Sequence, residues 1–157
     1  MFKIAGVLMI VSCGGALAYW LNHRARMALM QTEGFIDFVR YLRSEIDCFS
    51  MPIPTALERC PDTIFQKCGA QRFRGARTVS ELLDACEILS PEISEAMQRF
   101  AADVGRGYKH EQLSLCDRTA ELLWGYRNLL AEQLPVKRKL NGTLCLCSAL
   151  VIVILLL

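Results

Sequence analysis

IAGVLMIVSCGGALAYWL (residues 4–21) and LNGTLCLCSALVIVILLL (residues 140–157) carry no charged side chain, and these two runs decide how the chain is read. All sixteen acidic residues, and every basic residue except Lys3, lie between them. As a helix each run would extend roughly 27 Å, enough to cross a thin hydrocarbon core. The expectation is an all-α protein: one antiparallel helical bundle over residues 22–139, held between transmembrane helices at 1–21 and 140–157.

The charged middle balances almost all of the eighteen Lys/Arg against the sixteen Asp/Glu. So even a balance implies no strongly charged partner and no nucleic acid. Eight cysteines are present. Cys13, Cys145 and Cys147 sit in the apolar ends, where a thiol acts as a small hydrophobe. Cys48, Cys60, Cys68, Cys86 and Cys116 are odd in number and form no paired motif. That pattern suits neither a disulfide framework nor a zinc site, and it predicts reduced, mostly buried thiols in the cytosol.

The first run also contains Ala16-Leu17-Ala18, with the form of a signal cleavage site, and Ile10-Val11-Ser12-Cys13, which is lipobox-like. Charge outside the run argues against export. Arg24 and Arg26 follow it, and Lys137, Arg138 and Lys139 precede the second run. The positive-inside rule then places the middle in the cytoplasm and both termini across the membrane. Gly14, Gly15 and Ala18 put small residues where another helix could pack closely.

Between the runs, helical spacing dominates. Phe35, Val39, Leu42, Ile46 and Phe49 fall at intervals of three and four on a helix that leaves the membrane unbroken, with Gly34 its weak point. Pro52 and Pro54 end that helix and open the next. Asp62 is placed to cap a short helix, and residues 69–75 read as a loop. Thr78 and Glu81 have capping-box spacing ahead of a helix holding Leu82, Leu83, Cys86 and Leu89. Ser90-Pro91 starts another, with Ile93, Met97, Phe100 and Val104 inward. A final soluble helix from about Lys109 carries Leu113, Cys116, Ala120, Leu123 and Leu130, interrupted by Arg127, before Pro135 kinks the approach to the second run. The long first and last helices should pack antiparallel.

No phosphate-loop, HExxH, GxSxG or paired-cysteine motif occurs, so no catalytic residue, metal or cofactor is expected. His23 and His110 each lie among charged residues and read as surface side chains. Contact with partners is instead expected at the helix connections. The candidates are Ile53, Pro54 and Leu57, the basic loop of Arg72, Phe73, Arg74 and Arg77, and Arg106, Tyr108 and His110 at the Gly105-Arg106-Gly107 turn.

The segment EIDCFSMPIPTAL (residues 45–57) resembles the signature of the stage III sporulation protein AB family. That signature is a Glu-Ile pair, an aromatic two residues later, a Thr-Pro-Leu-like turn and an Ala-Leu pair opening the next helix. The Arg/Leu-rich helix upstream, the Gly105–Tyr108 turn before Gln112, and the basic flank, Gly142 and terminal apolar run follow the same order. Cys48 replaces the usual Tyr, Met51 a Thr, Ile53 a Leu and Asn141 a Gly. The resemblance implies a soluble part like the six-helix cytoplasmic domains of the type II secretion and type IV pilus platform protein F. It also implies a non-catalytic adaptor in the mother-cell sporulation channel, multi-pass in the cell membrane with its domain in the cytoplasm. Such an adaptor would couple a secretion-type ATPase to other membrane proteins of the complex, with no small-molecule substrate and with a homo-oligomer possible. Two other functions fit less well: a platform subunit of a conventional secretion or pilus system, in which an internal repeat would be expected, and a membrane-bound thiol enzyme, for which Cys68 near Arg72 is the nearest candidate.

Overall fold

The computed structural model describes the backbone of residues 2–70 and 75–156. Side chains are described for residues 12–70 and 75–136, and in the last helix for Lys139, Leu140, Gly142, Thr143 and Cys147. Among the described residues six helices follow in order: α1 (Phe2–Phe49), α2 (Ile53–Arg59), α3 (Asp62–Cys68), α4 (Val79–Asp84), α5 (Pro91–Asp103) and α6 (Lys109–Leu156). The described residues contain no strand, only an isolated antiparallel bridge between Ala70 and Cys86. The chain is all-α.

Contacts divide it into two compact units, Ala28–Leu129 and the pair of segments Met1–Met27 and Leu130–Leu157. Within Ala28–Leu129, α1 and α6 run antiparallel. Lys109 donates to the Asp47 carbonyl (2.6 Å), Arg43 grips Asp117 (2.6 and 3.3 Å) and Arg127 reaches Glu33 (2.8 Å). The α1 stripe builds the core: Phe35, Phe38, Val39 and Leu42 are fully buried and Ile46 is nearly so. Each such side chain contributes up to about 1.5–3 kcal/mol. Phe38, not singled out from the sequence, meets Phe65 of α3. Phe49, expected inward, is 67% exposed, because α1 ends there and Ser50 turns the chain at φ 47°.

Gly34 is a contact point, not a weakness. A Cβ there would lie 2.7 Å from the carbonyl carbon and Cβ of Lys67, so only glycine lets α3 come this close to α1. Lys67 then reaches Asp37 at 2.7 Å. The short helices start largely as the sequence suggests. Pro54 stands in the first turn of α2, and the Thr78 hydroxyl accepts the Glu81 amide (3.2 Å) at α4. Ser90 precedes Pro91 at α5, but its hydroxyl goes to the Glu92 carboxylate and not to a backbone amide. Asp62 is the first residue of α3 and not its cap, which is Pro61. There its carboxylate still complements the helix dipole.

Two expectations about length are corrected. Helix α4 stops at Asp84, leaving Cys86 and Leu89 outside it. The reason is tertiary: the Leu89 amide is taken by the Gln31 side chain (2.9 Å) and Cys86 is bridged to Ala70. Helix α6 does not end before Pro135 but runs through it to Leu156, despite the helical hydrogen bond that proline removes. Among the described residues no helix is long and apolar enough to cross a membrane, so the structure lends no support to the two terminal transmembrane helices. Much of both apolar runs falls outside the residues whose side chains are described.

Candidate functional site

Within Ala28–Leu129, three interhelix connections meet at one cleft of about 690 Å³. The turn from α1 to α2 contributes Ser50, Met51, Pro52, Ile53 and Pro54, the start of α4 contributes Arg77, Thr78, Val79 and Ser80, and the α5–α6 turn contributes Val104, Gly105, Arg106 and Lys109. These are short connections held by specific bonds. Ser50 closes α1 through its amide to the Ile46 carbonyl (3.1 Å). Gly105 and Gly107 take φ values of 84° and 94°, a region that favours glycine. Gln112 then braces their turn, accepting the Gly105 amide (3.2 Å) and donating to the Gly107 carbonyl (3.3 Å). Glu111 accepts the Tyr108 amide (3.0 Å), which completes half of a capping box at the start of α6.

The lining mixes apolar, neutral polar and basic side chains. Ile46, Met51, Ile53, Val79 and Val104 form apolar walls, and no described lining residue is acidic. Lys109 is committed to Asp47, through the carbonyl at 2.6 Å and the carboxylate at 3.5 Å. The exposed guanidinium groups of Arg77 and Arg106 have no carboxylate partner among the described residues. Chemically the cleft can hold an apolar side chain while presenting planar, bidentate donors to a carboxylate at its rim.

Four of the residues expected from the sequence, Ile53, Pro54, Arg77 and Arg106, are brought together here. Tyr108 is 83% exposed on the same turn but does not line the cleft, and His110 is exposed at the start of α6. Leu57 is 3% exposed and packs in the core. Arg72, Phe73 and Arg74 lie outside the described residues. In the other unit Gly14 and Ala18 are half-buried, whereas a Cβ at Gly15 would meet nothing within 4 Å. The sequence places Lys109 and Gln112 only at the start of the last helix; their bonds to Asp47 and to the glycine turn depend on where the end of α1 and that turn lie in space.

Burial disfavours the thiolate at four of the described cysteines. Cys60, Cys68 and Cys116 are buried and free. Burial pushes Cys60 up to about 12 and Cys116 to about 11, and it raises Cys68 further. Cys86 is half-buried and is likewise raised, to about 11. An activated cysteine needs the opposite shift. Among the described residues no cluster of His, Cys, Asp and Glu could hold a metal ion.

Comparison with curated proteins and with solved structures gave no match. A family model, described as stage III sporulation protein AB, matches residues 3–157, and the chain belongs to that family. Its role therefore lies in stage III of sporulation.

Proposed function

We propose that this member of the stage III sporulation protein AB family is a non-catalytic, membrane-anchored adaptor of the mother-cell sporulation channel. It would join a cytoplasmic secretion-type ATPase to the membrane components of that complex. One observation carries the reading: three connections from distant parts of the sequence converge on a single cleft with apolar side chains in its walls, where the guanidinium groups of Arg77 and Arg106 have no carboxylate partner among the described residues. Such a cleft suits a protein segment with an apolar anchor and acidic flanks. The high thiol pKa values weigh against the thiol-enzyme alternative.

Anchoring is part of the proposal. The charge-free runs at 4–21 and 140–157 and the flanking Arg24, Arg26 and Lys137–Lys139 support it. So do Tyr19 and Trp20, which are 75% and 54% exposed at the end of the first run, where interfacial aromatics belong.

The test is co-purification of the full chain with the ATPase. Wild type should retain the ATPase, and Arg77→Glu with Arg106→Glu should reduce retention by roughly tenfold or more, as expected when repulsion replaces a charge-assisted contact. Unchanged retention by the double variant would move the interface away from the cleft. No retention by wild type would overturn the adaptor.

A further inference from the structure

In the unit of Met1–Met27 and Leu130–Leu157, Asn22 and Arg26 of α1 and Leu134, Pro135, Lys139 and Gly142 of α6 line a second cleft, of about 810 Å³. Its volume is in the range of small-molecule sites. Arg26 and Lys139 put one cation on each helix, and neither is paired with a carboxylate among the described residues. Glu132 is the only acidic residue in these two segments, and it does not line the cleft. Along the same two helices, Arg43 and Arg127 are each matched by an acid, as Lys67 is on α3. Here the positive charge is left for a ligand.

The position narrows the choice of ligand. Arg26 follows closely on the apolar run that ends at Leu21, and Lys139 immediately precedes the one that begins at Leu140. On both helices the cations therefore stand where charged sequence gives way to apolar sequence. At Gly142 the wall is low, because a Cβ there would meet nothing within 4 Å. The Thr143 hydroxyl is already committed to the Lys139 carbonyl (2.9 Å), which leaves Arg26, Lys139 and the Asn22 amide as donors into the cleft.

We propose that this cleft binds the phosphodiester headgroup of an anionic phospholipid. Arg26 and Lys139 hold the phosphate, Asn22 holds a headgroup oxygen, and the acyl chains lie along the apolar runs. A guanidinium and an ammonium on facing helices suit a phosphate, and basic pockets between helices at a membrane surface bind such headgroups. The proposal rests on the membrane anchoring put forward above.

The experiment uses the full chain in detergent micelles, titrated with phosphatidylglycerol, phosphatidylcholine or inorganic phosphate, with bound lipid read by native mass spectrometry. Wild type should prefer phosphatidylglycerol to phosphatidylcholine, and millimolar inorganic phosphate should not displace it. Arg26→Gln with Lys139→Gln should lose that preference by roughly tenfold, the scale of two lost charge-assisted bonds at a partly exposed site. Arg24→Gln is the control, because Arg24 stacks over Trp20 (5.5 Å) and does not line the cleft, and it should keep the preference. Retained preference in the double variant overturns the site, as does equal loss in Arg24→Gln, which would mean diffuse surface charge. Displacement by inorganic phosphate overturns the lipid as ligand in favour of a free phosphate. Alkaline extraction of cell membranes tests the anchoring separately: release of the wild-type chain would overturn that reading, whatever the micelle titration gives.

Discussion

Gln31 joins three parts of the bundle through one amide. Its Nε2 donates to the carbonyls of Cys68 (2.9 Å) and Glu87 (2.8 Å), and its Oε1 accepts the Leu89 amide (2.9 Å). The side chain is 6% exposed, so water does not readily replace these bonds. Gly69 makes room for it: at φ 90°, a Cβ there would lie 2.9 Å from Nε2. In the sequence Gln31 reads as one more polar residue on a helix, because its partners are 37 to 58 positions away. Gln31→Leu keeps the volume but strands buried backbone groups, each costing about 1–3 kcal/mol. Two of the three bonds are only part-buried, so a loss of about 2–4 kcal/mol in unfolding free energy, measured by denaturant titration, is expected. Gln31→Glu should be worse at pH 7, since a carboxylate would face two carbonyl oxygens. Burial and that repulsion would raise the carboxyl pKa above its unfolded value, so the folded state would bind the proton more tightly. The deficit of Gln31→Glu should therefore shrink as pH falls toward 5, while that of Gln31→Leu stays constant.

At the scale of elements, the α1–α6 pair shows which contacts carry stability. Its visible marks are ionic: Arg43–Asp117, Arg127–Glu33, and the guanidinium groups of Arg40 and Arg127 over the Trp124 ring (5.5 and 5.6 Å to its centroid). All of these reach solvent, where ion pairs contribute little. The buried seam is apolar, with Cys116 and Leu123 at 0% exposure. Leu123→Ala should lower stability by about 2–5 kcal/mol, the range for a leucine cavity. Asp117→Asn should leave the denaturant midpoint nearly unmoved, and the reverse ranking would mean that charge holds the pair. Helix starts and most of the α1 stripe were legible because proline, the Thr78 cap and a repeat of three to four residues act locally. The short length of α4 was not, since it depends on Gln31 and on the Ala70–Cys86 bridge. Nor was the need for Gly34, which is set by the distance to Lys67.

For the whole molecule, the three connections named from the sequence were legible as turns, but their meeting at one cleft was not, because it follows from how five helices pack. Burial also decides how the topology can be measured. Cys60 and Cys68 are 6% and 0% exposed with raised thiol pKa values, so they would resist a thiol reagent on either side of a membrane. Cys48 is exposed near the end of α1, within Ala28–Leu129, and reports the location of that unit without any substitution in the core. Intact cells treated with a membrane-impermeant maleimide, then lysed and digested, should yield an unmodified Cys48 peptide. Lysis before treatment should give a modified one, while Cys68 and Cys116 should react only after denaturation. Modification of Cys48 in intact cells would put the helical unit outside the cytoplasm. A cytoplasmic ATPase could then not reach the Arg77–Arg106 cleft, and the adaptor reading would fall with the topology.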